Sequence, residues 1–170
     1  MRALVLDASV GLKLVRMEEG SEAASDLVTQ RLPSWIAVPP IFWLEVINVL
    51  ARRYGYPGAD VLEALHDLES LGIRTLPDDR PGRLAVIDLV ERHELTSYDA
   101  AYLALAESLD ADLATADRRL ALAAGDRGAF IGPDQGIAEE RAAYRPRPAT
   151  WPSWTDVGAY LAELRGAPPA

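Results

Sequence analysis

Short β-type runs alternate with helical patterns along most of this chain, and that alternation restricts its fold more than any other feature. Strand-like runs cover residues 3–6, 35–38, 73–76 and 112–115, with a marginal fifth at 129–131. Helical apolar spacing fills the gaps, over residues 10–17, 21–30, 41–54, 57–71, 80–93, 97–109 and 118–124. Strands joined through helices return in the same direction, because only a crossover of that length connects parallel neighbours. The predicted class is therefore α/β, with a central parallel sheet of four to five strands and helices on its faces. Pro39 and Pro40 stand where a helix start tolerates proline, and Gly72 is placed to stop the helix before it.

A chain of 170 residues suits one domain with a substantial core. No internal repeat is visible. The character changes at Pro133, beyond which Pro146, Pro148 and Pro152 interrupt the chain beside Trp151 and Trp154. Residues 155–165 read as a last helix. We read residues 1–132 as the domain and 133–170 as an extension packed on it through the large tryptophan side chains.

Cysteine is absent, which removes disulfides, thiolate metal sites and a cysteine nucleophile. The start of the chain lacks a secretory pattern, and no apolar run approaches the ~20 residues of a membrane span. A soluble cytoplasmic protein is the expectation. The net charge is −9, and Lys13 is the single lysine. A protein that binds nucleic acid through bulk charge is basic, so any polyanion must be met by local bases or bound cations.

Ligands of open parallel sheets bind outside the carboxyl ends of the strands. Four acids fall there: Asp7 after the first strand, Glu45 early in the helix after the second, Asp99 in the first turn of its helix, and Asp117 just past the fourth strand. Asp7 also reads as a strand stop before Ser9, a candidate N-cap. Thr96 and Asp99 have capping-box spacing, and Asp117 suits the N-cap of the following helix. Glu45 is harder to explain locally, because Phe42, Trp43, Leu44, Val46 and Ile47 surround it. Asn48 shares its face and reads most simply as a local hydrogen-bond partner. Four clustered carboxylates repel one another, and a hard divalent cation such as Mg²⁺ removes that conflict. It also reverses the local field and polarises a phosphodiester.

The segments LVLDASVGLKL, FWLEVINVL, SYDAAYLALAE and LATADRRL resemble, in order, the four acidic motifs of PIN-domain nucleases, of the VapC toxin type. The resemblance runs from Ala3 to about Ile131. It implies a PIN-like three-layer α/β/α fold and a Mg²⁺- or Mn²⁺-dependent endoribonuclease with Asp7, Glu45, Asp99 and Asp117 around the metal. It further implies in-line attack of water on phosphorus, leaving a 5′-phosphate and a 3′-hydroxyl. Ser9 and Thr115 fall at positions that support the carboxylates, although each also reads as a turn former. A homodimer and a small antitoxin partner are implied as well. The extension from Pro133 departs from the usual short VapC chain.

Lys13 reads either as a phosphate contact or as an ordinary solvated lysine. Arg118 and Arg119, directly after Asp117, are better candidates for RNA. His66 and His93 lack ligand spacing. Two other readings compete. An aspartate-nucleophile phosphatase requires a second aspartate where Ser9 stands. A non-catalytic binding module has no need of four acids.

Overall fold

A computed structural model of the chain describes residues 2–31 and 35–132. The expected 133–170 extension and its helix lie outside the described residues. Five strands form one sheet: β1 (Leu4–Leu6), β2 (Ile36–Val38), β3 (Arg74–Thr75), β4 (Asp112–Thr115) and β5 (Gly128–Phe130). Their order is β3-β2-β1-β4-β5, and every pairing is parallel. β1 and β2 are buried at every position, which is why they read as unbroken apolar runs and not as alternating ones.

The helices are α1 (Ala8–Val15), α2 (Ser21–Arg31), α3 (Ile41–Asn48), α4 (Gly58–Ser70), α5 (Arg80–His93), α6 (Ser97–Ser108) and α7 (Arg118–Ala123). From β1 the chain steps to β2 and β3 on one side, then returns past β1 to β4 and β5 on the other. Right-handed crossovers therefore put α1–α4 on one face of the sheet and α5–α7 on the opposite face. The result is the expected three-layer α/β/α architecture. The core is built from Leu4, Leu6, Ile36, Phe42, Leu50, Leu68, Leu89, Tyr102, Leu103, Leu113 and Leu120, all at 1% exposure or less.

Two local features depart from the expected elements. The helix expected over residues 41–54 is α-helical only to Asn48 and continues as a wider π turn, Val49–Arg53. There the Tyr54 amide reaches the Val49 carbonyl five residues back, and the Tyr54 ring lies 3.5 Å from the Arg16 guanidinium carbon. In α1, Gly11 lies against α3. A Cβ there would stand 2.7 Å from Cζ of the buried Phe42 ring, so glycine sets how closely these two helices approach. Gly72 ends α4 at φ +71°, as the sequence indicated.

Candidate active site

Strand order reverses between β1 and β4, and a crevice opens at such a point beyond the carboxyl ends of the strands. Asp7 is the residue after β1, and its amide donates to the Ala114 carbonyl of β4 at 3.0 Å. Asp117 follows β4 by two residues.

The Asp7 side chain is completely buried. Its Oδ2 accepts two hydroxyl protons, from Ser9 Oγ at 2.6 Å and from Thr115 Oγ1 at 2.6 Å. Each hydroxyl in turn accepts a backbone N–H from the loop after β4. Ala116 donates to Ser9 Oγ at 2.9 Å, and Asp117 donates to Thr115 Oγ1 at 2.9 Å. A hydroxyl has one proton, so a hydroxyl that accepts an amide proton directs its own at the carboxylate. Asp7 occupies the N-cap position of α1 but makes no side-chain cap bond, since its carboxylate is drawn to these hydroxyls. Asp7 Oδ1 is buried and has no hydrogen-bond partner among the described residues.

Glu45 sits in the second turn of α3, half-buried. Its Oε2 accepts the hydroxyl proton of Tyr102 at 2.5 Å. That bond explains a glutamate inside so apolar a helix. Tyr102 is fully buried on α6. Burial first, and then the charges of Asp7 and Glu45, push the phenol far above the ordinary tyrosine range. The phenol therefore stays protonated and stays a donor.

Asp99 is 5% exposed and begins α6 beside its N-cap, Thr96. Thr96 Oγ1 accepts the Asp99 amide at 3.1 Å and donates its proton to Asp99 Oδ2 at 2.7 Å. Asp117 caps α7, with Oδ1 accepting from the amides of Arg119 at 2.8 Å and Leu120 at 3.1 Å. The N-cap geometries read from the sequence at Thr96 and Asp117 are thus present, and they hold both acids at this end of the sheet.

Asp7, Ser9, Thr115 and Asp117 belong to one hydrogen-bonded network. Asp7 and Glu45 both act electrostatically on Tyr102, and Asp99 lies three residues before Tyr102, one turn away on α6. Arg118 and Arg119 are exposed beside Asp117. Arg118 lies 5.6 Å from the Phe130 ring centre, and Arg119 reaches the Glu94 carboxylate at 3.3 Å. Lys13 does not fit either description in the sequence reading. It is 5% exposed, and its ammonium donates to the Glu19 carbonyl at 2.7 Å and Glu18 Oε1 at 3.1 Å. Its apolar stem is buried while its charge ties down the α1–α2 turn. Sequence reasoning missed Tyr102 as a partner of Glu45. The available signal was a tyrosine one helical turn after Asp99, on a face otherwise apolar.

Among the described residues no three His, Cys, Asp or Glu side chains form a ready-made metal cage. Mg²⁺ does not require one, since it keeps several waters and takes one or two carboxylates directly. The buried Oδ1 of Asp7, without a partner among the described residues, is an anionic oxygen at a position where a cation removes the cost of leaving it unpaired. The donor set is all oxygen, which suits a hard divalent ion. The residues present fit such an ion.

A doubly wound parallel sheet with acids at its switch point defines an open α/β protein whose ligand site lies beyond the carboxyl ends of the strands. The family model of the PIN domain matches residues 4–126, and the chain belongs to that family of nucleases. Solved structures that share the fold include the following three. One is PAE2754 from Pyrobaculum aerophilum, with TM-score 0.55 and 24% identity, over 76% of this chain and 88% of that one. VapC20 of Mycobacterium tuberculosis, described as a sarcin-ricin loop cleaving toxin, has TM-score 0.61 and 18% identity, over 76% and 99%. FitAcB of Neisseria gonorrhoeae has TM-score 0.56 and 21% identity, over 71% and 92%. No curated protein matches the chain. No helix among the described residues is long and apolar enough to cross a membrane.

Proposed function

We propose that this PIN-domain protein is a divalent-cation-dependent endoribonuclease and the toxin of a VapBC-type toxin–antitoxin pair. The observation that carries the reading is Asp7, a fully buried carboxylate with two hydroxyl donors on one oxygen and, among the described residues, none on the other. A purely structural aspartate has no reason to leave one buried oxygen unpaired. Asp7, Glu45, Asp99 and Asp117 are the residues that hold the ion, directly or through water. Bound Mg²⁺ or Mn²⁺ supplies Lewis-acid polarisation of the scissile phosphate and a more acidic water. Ser9 and Thr115 orient Asp7, and Thr96 orients Asp99. Arg118 and Arg119 supply local positive charge for an RNA backbone that the net charge of −9 otherwise repels. The similarity to VapC20, described as a sarcin-ricin loop cleaving toxin, supports a cleaving toxin as the reading. A small antitoxin, a homodimer and a cytoplasmic location belong to the same proposal, with residues 133–170 as an extension of the nuclease domain.

The test is RNA cleavage by purified protein with and without Mg²⁺, together with melting curves. Asp7→Asn and Asp99→Asn are expected to abolish Mg²⁺-dependent cleavage while circular dichroism stays native. Cation at one hundred times its Kd stabilises the wild type by about 2.7 kcal/mol. In a chain of this size that raises Tm by roughly 5–10 °C, and Asp7→Asn loses the gain. Mutants that cleave RNA at the wild-type rate would refute the metal site.

A further inference from the structure

We propose that Tyr102 is a positioning residue for Glu45, whose hydroxyl sets the orientation of that carboxylate and through it the affinity of the acidic site for a divalent cation. The inference rests on the reading of Glu45 as part of that site. Two observations carry it. Tyr102 is fully buried, so its ring has one place to be. A phenol has a single proton, so the hydrogen bond it donates has one direction. That direction is Glu45 Oε2, at 2.5 Å, across 57 residues of sequence.

A glutamate side chain half-open to water samples several rotamers, and holding it in one costs entropy when an ion binds. A fixed donor on one oxygen takes most of that cost in advance and leaves the second oxygen oriented. Tyr102 thereby couples two elements that the chain brings together only on folding: the second turn of α3, and α6 one turn beyond Asp99. It stands to Glu45 as Ser9 and Thr115 stand to Asp7. The alternative is that Glu45 merely satisfies a buried phenol, and then its loss affects stability alone.

The experiment is Mn²⁺ binding by calorimetry to wild type, Tyr102→Phe, Glu45→Ala and the double mutant. Removing an outer partner of a metal ligand typically weakens metal binding by roughly 10–100-fold. Tyr102→Phe is expected to weaken Mn²⁺ by about 10-fold. It also raises the Mn²⁺ concentration for half-maximal cleavage by the same factor, with kcat at saturating Mn²⁺ within about two-fold. In the Glu45→Ala background the tyrosine change should add nothing. A second measurement does not depend on the variant folding. In wild-type protein with ¹³C-labelled tyrosine, Mg²⁺ should shift the Tyr102 Cζ resonance, and in Glu45→Ala it should not. Equal Mn²⁺ affinity in wild type and Tyr102→Phe, or an unmoved Tyr102 resonance on Mg²⁺ saturation, overturns this proposal alone if Asp7→Asn still loses the ion. A wild type that binds no Mn²⁺ removes the proposed function and this inference together.

Discussion

Replacing Thr115 with valine isolates one hydroxyl that does two tasks in the acidic network. Valine keeps the branched shape and the strand preference of threonine, so β4 itself should persist. What disappears is the proton donated to Asp7 Oδ2 at 2.6 Å and the acceptor for the Asp117 amide at 2.9 Å. A hydrogen bond to a charged group contributes about 1.5–3 kcal/mol, and a buried amide left unpaired costs about 1–3 kcal/mol. Asp117 is half-buried, so water partly satisfies its amide and the lower half of the combined range applies. The expected loss is about 3 kcal/mol, or roughly 6–12 °C in Tm for a chain of this length. Urea unfolding of the metal-free protein, followed by circular dichroism, measures it. Thr115→Ser keeps the hydroxyl and should lose only the contribution of one methyl group, about 1 kcal/mol. In an Asp7→Asn background the bond becomes a neutral one, and the cost of Thr115→Val should fall by about 1 kcal/mol or more. A Thr115→Val loss below about 1 kcal/mol, or one independent of the residue at position 7, would refute the argument that this hydroxyl is aimed at a buried anion.

Tyr102 predicts an alkaline signature, because burial and then the charges of Asp7 and Glu45 hold its phenol far above the ordinary 10.0. A raised pKa contributes stability that is complete below pH 10 and is lost as pH climbs toward the folded-state value. Wild type should therefore lose about 1.4 kcal/mol per pH unit more than Tyr102→Phe once the pH passes the ordinary 10.0. Parallel stability curves for the two proteins between pH 9 and 11.5 would contradict it. Gly11→Ala should destabilise by about 1–3 kcal/mol despite the better helix propensity of alanine, because the new Cβ meets the Phe42 ring at 2.7 Å. Chemical denaturation checks the sign.

The layer architecture and nearly every element were legible in the chain, because hydrophobic periodicity is a local property and buried parallel strands have an unmistakable composition. α5 and β4 begin and end where the sequence indicated, at Arg80–His93 and Asp112–Thr115. The N-caps at Thr96 and Asp117 were likewise local, three residues of spacing each. The π turn after Asn48 was not legible, since the apolar positions Phe42, Val46 and Leu50 fit an ordinary helix equally well.

The partners of the acids were decided elsewhere. Spacing alone nominated Asp7, Glu45, Asp99 and Asp117, but it carried no sign that Thr115 reaches Asp7 across 108 residues or that Tyr102 reaches Glu45 across 57. It also read Lys13 as exposed, where tertiary packing closes over its stem and leaves the charge to the α1–α2 turn. Local order follows from the free energy of a few adjacent residues, which a sequence window contains. Hydrogen bonds between distant strands and helices depend on register and sheet order, and those are set only when the whole core is buried at once.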